Sequence, residues 1–488
     1  MLYYPLRTDG YFKANPEIAA RTASNLKTLR DWIPRDDGGD VPRKDLRKTL
    51  LLATWNIRDF GRPGGRGYGE RTLESLMYIA EVISAFDLVA LQEVNADMGL
   101  FRRVVRLLGK SWDFIVTDVT EGASGNGERM AYVFDRRKVS FRGIAGEITL
   151  KPDDLVDGGR LSRLPLPEGT KIVAADGSET PVADGSILSL PDDQKLITGR
   201  QFARTPFLVS FQAGWFKFNL CTVHLLFGSG SEGLELRKQE IRKVGDFFRK
   251  RNDRVMNRKR EEAYDAFERA EGRRPTNPER ADIRKKVDPK HAETYVLLGD
   301  FNIVGPDDET FSALTDSGFR VPEELSGNPT NMLGTKHYDQ IAFLPKSGPF
   351  KVSHSQAGVL DLFDVIYRAS PDDWNFVDPP GGALPDDDGS DFSVYYPLVK
   401  AEHYEGINAS LAETHDKKRN LKRDGTTIKR VVKGDPRSMG DKRLWYASEW
   451  RTYHLSDHLP LWVALDIDFA TGYLDDTIKQ AGAATDGG

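Results

Sequence analysis

The sequence predicts an α/β sandwich in which two β-sheets pack together and helices flank them. Two observations support this fold class. Short apolar runs that suit buried strands alternate with longer amphipathic segments along most of the chain. In addition, some neighbouring strands are separated only by a short turn, which fits two packed mixed sheets better than a purely parallel doubly wound sheet.

Apolar periodicity gives the elements in order. Helices are predicted at 11–33, 70–85, 97–108 and 233–271, and strands at 50–54, 87–92, 112–117, 130–134, 206–212, 216–223, 294–298, 338–344 and 459–466. Loops are predicted at 36–39 and 61–69, where Gly and Asp accumulate, and a hairpin turn at Ala213-Gly214. The prolines between Pro275 and Pro289 are expected to break the long helix.

The chain length exceeds that of a usual single domain, so one large domain with insertions and two domains are both open on length alone. We expect an N-terminal helical extension at 1–48, a main domain at 49–468 and a flexible tail at 469–488. Insertions are expected near 152–194, 249–293 and 370–446. The first is rich in Pro, Gly and Asp and is predicted to be irregular, and the last begins acidic and ends basic.

Composition bounds the class of protein. The 488 residues carry a formal net charge of −5, which argues mildly against a tight non-specific nucleic-acid binder but not against an enzyme whose carboxylates hold cations. The sequence has no apolar run of about 18 residues, so no membrane partner is expected. The first residues lack the pattern of a secretory signal, and Cys221 stands alone, so the expected location is cytoplasmic.

Polar side chains collect where the predicted strands begin or end. Rigid strands aim such residues into a common site when the strand ends meet at one edge. Carboxylate, amide and imidazole groups together suit Mg²⁺, Mn²⁺ or Ca²⁺. The residues at these positions are Asn56, Glu93, His224, Asp300, Asn302, Asp339, Asp457 and His458.

Four short motifs resemble, in the same order along the chain, the signature blocks of the endonuclease/exonuclease/phosphatase superfamily, the deoxyribonuclease I-like proteins. They are Thr54-Trp55-Asn56-Ile57-Arg58, Leu91-Gln92-Glu93-Val94, Gly299-Asp300-Phe301-Asn302 and Ser456-Asp457-His458-Leu459-Pro460. The resemblance covers roughly 49–365 and 447–468. It implies a four-layered α/β sandwich and a divalent-metal-dependent phosphodiester hydrolase.

The resemblance also implies a metal site. Glu93 matches the principal metal ligand, with Asn56 and Asp457 contributing directly or through water. Mg²⁺ is the expected ion, with Mn²⁺ or Ca²⁺ as alternatives. Asp300 and Asn302 match the pair that orients the attacking water and contacts the phosphate.

The same resemblance implies two catalytic histidines. His458 matches the catalytic histidine, with Asp339 as its carboxylate partner. His224 matches a second histidine that pairs with Glu128 and protonates the leaving group, and Arg204 matches a phosphate-binding arginine. Whether His458 or Asp300 is the general base stays open.

The resulting hypothesis is a nuclease, expected to be an endonuclease, that cuts DNA more readily than RNA. The alternatives are a phosphatase or phosphodiesterase acting on phosphoinositides or sphingomyelin, and an inactive binding module. The basic runs Arg249–Arg260 and Lys417–Arg443 fit either a solvated surface or a nucleic-acid contact. Similarly, Tyr446, Trp450 and Tyr453 fit either stacking on bases or a place in the core, and His454 lies close in sequence to the predicted site.

Overall fold

The strands of two large sheets are distributed along the chain from Thr49 to Asp466. The computed structural model describes residues 1–34, 41–63, 68–119, 127–161, 163–174, 176–183, 185–189, 196–228, 230–291, 293–344, 353–375, 381, 384, 388–399, 422–423, 426–427, 439–470, 474–475 and 477–478. The sheet strands are β1 (Thr49–Phe60), β2 (Leu88–Asn95), β3 (Trp112–Val116), β4 (Glu128–Asp135), β5 (Val139–Glu147), β6 (Phe207–Ala213), β7 (Phe216–His224), β8 (Tyr295–Asp300), β9 (Asp339–Phe343), β10 (Ser353–Val359) and β11 (Leu461–Asp466).

Both sheets are mixed. The first has six strands in the order β10-β11-β1-β2-β4-β3, and only the β1–β2 pair is parallel. The second has five strands in the order β9-β8-β7-β6-β5, and only the β7–β8 pair is parallel. Each sheet therefore brings the carboxyl ends of two central strands to one edge.

Helices cover the outer faces of the sheets. The longer ones are α1 (Pro16–Trp32), α2 (Leu73–Ser84), α3 (Gly99–Leu108), α4 (Gly230–Glu271), α5 (Asn277–His291), α6 (Glu309–Asp316) and α7 (Met439–Trp445). Short helical turns lie at Pro5–Thr8, Gly10–Ala14, Glu323–Ser326, Pro371–Trp374, Phe392–Tyr395 and Arg451–His454. Helix α2 begins where the Thr72 hydroxyl accepts a hydrogen bond from the Ser75 backbone N–H, an N-cap that satisfies a donor of the first turn.

Three apolar clusters separate the layers and confirm the predicted four-layered α/β sandwich. Side chains of both sheets interdigitate in the middle cluster, where Leu52 and Val463 meet Phe211 and Leu298. A second cluster fills the space between the first sheet and helices α1, α2 and α3. A third lies between the second sheet and helices α4 and α6. Among the described residues, no helix combines the length and the apolar character needed to cross a bilayer.

The N-terminal extension is part of this architecture. Ile18 and Leu26 of α1 are buried in the cluster against the first sheet. Arg21 of α1 also forms an ion pair of 2.9 Å with the buried Glu74 of α2. The helix thus completes the outer layer over the first sheet.

Several predicted elements were wrong or missing. The insertion at 152–194 is not irregular over its described part but contains nested antiparallel ladders, which pair Val156–Leu161 with Leu196–Arg200, Arg163–Pro165 with Ile187–Ser189, and Lys171–Val173 with Glu179–Pro181. Backbone hydrogen bonds form these ladders at the surface, so the side chains need no apolar alternation. For the same reason the exposed edge strand β5 was missed.

The predicted break of the long helix is confirmed, because α4 ends at Glu271 before Pro275, but the helix α5 that follows from Asn277 to His291 was not predicted. Pro278 lies in the first turn of α5, where a missing N–H removes no helical hydrogen bond. The hairpin turn is Gly214-Trp215 rather than Ala213-Gly214, since Ala213 pairs with Phe216. The predicted loop at 36–39 lies outside the described residues.

The C-terminal insertion contributes aromatic side chains to the core. Tyr446, Trp450 and Tyr453 are buried, and the Tyr446 and Trp450 rings stack with centroids 5.7 Å apart, so these residues belong to the core rather than to a base-stacking surface. Arg443, the last residue of the basic run from Lys417, is buried in ion pairs with Asp373 and Asp388. Most of that run lies outside the described residues.

Candidate active site

The sheet registers bring the predicted site residues to one edge of the sandwich. In the second sheet, His224 at the end of β7 pairs with Asp300 at the end of β8, and Asp300 pairs with Asp339 at the start of β9. In the first sheet, Glu128 at the start of β4 pairs with Asn95 at the end of β2, two residues after Glu93. Residues far apart in the sequence therefore converge.

Asn56 joins the two sheets at the centre of this edge. Its Nδ2 donates to Glu93 Oε1 at 2.9 Å and to Asp300 Oδ2 at 3.0 Å. The other Glu93 oxygen accepts the backbone N–H of Asp59 at 2.8 Å. Glu93 and Asp300 thus face one small polar space.

Two imidazoles point at the same oxygen of Asp300. Nε2 of His224 lies 3.6 Å from Asp300 Oδ2, and Nε2 of His458 lies 3.8 Å from it. The Nδ1 atom of each ring is 2.8 Å from a carboxylate, Glu128 for His224 and Asp339 for His458. These contacts leave both Nε2 atoms directed into the site.

Arg204 also contacts Glu128, and it shares one carboxylate oxygen with His224. Its Nε and one terminal nitrogen contact the two Glu128 oxygens at 3.1 and 3.0 Å, so Glu128 is held by a bidentate ion pair and by His224 together. Burial raises the pKa of Glu128, but His224 and Arg204 outweigh it and lower the pKa to about 2. In this structure Arg204 is therefore a partner of Glu128.

The carboxylates favour the charged form of both imidazoles. Burial lowers the pKa of His224, but Glu128 more than offsets it and the pKa rises. Burial acts in the same way on His458, and Asp339 and Asp300 raise its pKa well above the ordinary value. The pKa of Asp339 itself is raised, first by burial, and its Oδ1 has no hydrogen-bond partner among the described residues.

The donor set fits a hard divalent cation. Asp300 is buried and Glu93 is partly buried, and the two carboxylates approach the same amide. Burial raises the pKa of Glu93, and the nearby Glu128 and Asp457 charges add to the rise. Asp457 lies at the rim with its side chain 48% exposed and its carboxylate 3.9 Å from Arg58 Nε. Asp300, Asp339 and His458 also lie close enough together to hold an ion, but the 2.8 Å contact between the last two already commits that pair to each other.

Backbone strain is concentrated at this edge. Among the described non-glycine residues, positive φ angles occur at Arg58, Asp59, Glu93, Asn302 and Tyr367. Four of these five flank or form the site, and such conformations persist only where surrounding contacts impose them. At Asn302 the contacts are an N–H donated to Asp300 Oδ1 at 2.9 Å and a side-chain amide donated to Leu225 O at 2.8 Å.

The sequence did not identify Arg71 as part of the site. This buried guanidinium donates to the carbonyls of Ile57 and Arg58 in the last part of β1, and to those of Tyr453 and Leu455 before the Asp457-His458 pair. It therefore ties the end of β1 that carries Asn56 to the segment that carries His458. An arginine at the start of a predicted helix gives no signal of this role.

An aromatic rim was missed as well. The Tyr338 ring packs against the His458 ring with centroids 5.5 Å apart, and Phe227 meets Tyr338 edge to face at 6.2 Å. Phe227 is 51% exposed, and the Arg237 guanidinium lies 5.2 Å from its ring centroid. The only sequence signals were that Tyr338 directly precedes Asp339 and that Phe227 follows the strand ending at His224.

Comparison with known proteins gives matches to solved structures only. No protein-family model matches the chain, and no curated protein matches its sequence. An endonuclease/exonuclease/phosphatase family protein from Bacteroides thetaiotaomicron matches with 14% identity and a TM-score of 0.40, over 86% of this chain and 95% of the other. It carries the name of the family that the four motifs resemble.

Two further matches are solved structures of proteins whose names indicate different substrates. A mannosyl-6-phosphatase from Bacteroides thetaiotaomicron is 15% identical, with a TM-score of 0.36 over 64% of this chain and 90% of the other. TDP2 of D. rerio, in complex with a single-strand DNA product, is 10% identical, with a TM-score of 0.36 over 86% of this chain and 99% of the other. These TM-scores are too low to carry an inference about the substrate of this chain.

Proposed function

We propose that this chain is a divalent-metal-dependent phosphodiesterase of the endonuclease/exonuclease/phosphatase kind. We further propose that its substrate is a nucleic acid, and that it prefers DNA to RNA. One observation supports the chemistry most directly. Two imidazoles, each backed by its own carboxylate, direct Nε2 at the Asp300 oxygen that also contacts Asn56. This arrangement can hold a phosphodiester between proton-transferring groups.

The residues of the site divide the chemistry among them. A Mg²⁺ ion held by Glu93, with Asn56 and Asp457 as further ligands, would neutralise charge on the phosphoryl oxygens. Asp300 and Asn302 orient the attacking water, and the proton of that water passes to Asp300, or to His458 when its ring has first lost the proton on Nε2. His224 protonates the departing alkoxide, and Glu128 holds its ring with Nε2 toward the site.

The aromatic rim favours a nucleic acid over a phosphoinositide. Half-exposed Phe227 lies two ring contacts away from His458, through Tyr338, so a base attached near the scissile phosphate can stack there. Stacking of a base on an aromatic ring contributes about 1–3 kcal/mol and tolerates any sequence. Inositol headgroups offer no such flat face.

The test compares substrates and variants under one set of conditions. Supercoiled plasmid, RNA, phosphoinositide vesicles and sphingomyelin vesicles are incubated with the protein in Mg²⁺ and in EDTA. We expect nicking of the plasmid in Mg²⁺ alone, and its loss in Asp300→Ala and in His458→Ala. Glu74→Gln, a buried change on α2, serves as the control that keeps activity. Full nicking by both site variants, or hydrolysis confined to the lipids, would overturn the proposal.

A further inference from the structure

A separate basic arm extends from the body of the protein. It consists of residues 249–291, which form the second half of α4 and all of α5. These residues include 15 Lys and Arg against 9 Asp and Glu, an excess of +6 in a chain whose total is −5. The rest of the chain therefore carries −11, and the charge of the arm is opposite to that of the body.

The arm adds nothing to the three apolar clusters of the body. None of its residues belongs to those clusters, which end at Phe248 and resume at Tyr295. Within the arm, Tyr264 is buried and its hydroxyl accepts a hydrogen bond from Arg284 Nε at 2.9 Å. An ion pair between Arg260 and Asp288 ties α4 to α5. The arm is thus an ordered helical hairpin whose surface faces solvent.

Several cations of the arm have no carboxylate of their own. Arg254, Arg269, Arg284 and Lys286 are exposed, and none of them lies within ion-pair distance of an acidic group among the described residues. A solvated helix surface usually balances its charges by neighbouring opposite ones, as Arg274 does here with three carboxylates. The unbalanced excess points to an anionic partner outside the chain.

We propose that the basic arm binds the phosphate backbone of a nucleic acid at a distance from the catalytic site. A polyphosphate matches a row of exposed cations because bound counterions are released when phosphates are neutralised. The inference rests on the proposed function for the identity of the polymer.

The length of α4 places the arm away from the scissile phosphate. The helix begins six residues after His224 and has 42 residues, which at about 1.5 Å per residue gives roughly 60 Å. The arm begins about 28 Å along it. A polymer held at both places therefore spans between about one and two turns of duplex, at about 34 Å per turn. The arm then raises affinity without touching the reacting atoms.

The test measures the salt dependence of binding in the full chain. Asp300→Ala is used in constant Mg²⁺ so that a fluorescent 40-base-pair duplex is not cut, and anisotropy gives the binding constant over a range of KCl. Arg254, Arg269, Arg284 and Lys286 are changed to Gln together. Because each lost phosphate contact lowers the slope of log K against log salt by about 0.9, we expect the slope to fall by up to about 3.6 for the four cations. The matched control changes four exposed body cations to Gln, Lys13, Lys27, Arg102 and Arg106.

The outcomes separate this inference from the proposed function. The proposal for the arm would be overturned if the slope of log K against log salt fell equally in the arm and control variants, or if it fell in neither. Loss of binding to anionic vesicles with an unchanged DNA slope would assign the arm to a membrane surface and also overturn it. If the slope falls as expected while the wild type cuts no nucleic acid, the proposal that the arm binds nucleic acid is supported and the catalytic proposal fails.

Discussion

Glu128 offers the sharpest test of the proposed acid catalyst. Its carboxylate contacts His224 Nδ1 at 2.8 Å and receives two hydrogen bonds from Arg204. Glu128→Gln keeps the shape of the side chain and removes the charge. The change therefore asks whether the charge, rather than the volume, makes His224 an effective proton donor.

The structure gives the size of the effect. The pKa of Glu128 is about 2 instead of the ordinary 4.5, because His224 and Arg204 together outweigh the opposing burial. At about 1.4 kcal/mol per pKa unit, the surrounding cations favour this carboxylate by roughly 3 kcal/mol. If that attraction orients and charges His224 for proton transfer, its loss lowers kcat by about 10²-fold, within the range typical of a general acid.

The assay is a double-mutant cycle in kcat. Initial rates are measured for Glu128→Gln, His224→Ala and the double variant on one oligonucleotide in Mg²⁺. Because the two residues act as one unit, the double variant should lose no more than His224→Ala alone. Glu74→Gln breaks another buried ion pair, with Arg21, and should lower stability while keeping kcat. Losses that multiply in the double variant would refute the relay.

Three further predictions concern other parts of the site. Phe227→Ala should raise KM about 5–150-fold for thymidine 5′-p-nitrophenyl phosphate but not for methyl p-nitrophenyl phosphate, and an equal effect on both would exclude base stacking. Burial lowers the pKa of His454 to about 3, below the unfolded value, so its contribution to stability is complete above about pH 6.5 and declines as the pH falls toward 3. Urea unfolding should show that His454→Asn flattens this decline by up to about 1.4 kcal/mol per pH unit, and parallel curves would contradict it. Arg71→Lys should lose about 3 kcal/mol of unfolding free energy and also lower kcat, and an unchanged kcat would remove its positioning role.

The sequence predicted which residues meet at the site because polar side chains interrupt apolar runs near the ends of the strands. Asp300 is the last residue of β8, whereas β1 continues past Asn56 to Phe60 and β2 continues past Glu93 to Asn95. The partners of both histidines were implied by the family resemblance, and the structure places them at 2.8 Å. The pattern of apolar strands also predicted the fold class. The catalytic roles of the site residues stay predictions, to be decided by the experiments above.

The sequence could not show contacts made through the backbone. Arg71 acts on four carbonyl oxygens, and carbonyls are present at every position, so no residue type marks its partners. The surface ladders after Pro152 have the same origin. Arg204 shows a different limit. The family resemblance implied that Arg204 lies near a phosphate site. Its bidentate contact with Glu128 could not be predicted, because it forms only where the two sheets pack together.

The contacts between the two sheets explain why the geometry of the site depends on the packing of the core. Three contacts between polar side chains join the first sheet to the second. Asn56 of β1 contacts Asp300 of β8, Glu128 of β4 contacts His224 of β7, and His458 before β11 contacts Asp339 of β9. A shift of one sheet against the other would therefore lengthen all three contacts at once. The apolar cluster between the sheets fixes their separation, because close-packed side chains resist small displacements. Precise proton-transfer geometry at the edge is thus a property of side chains such as Phe211 and Leu298, which touch no catalytic group.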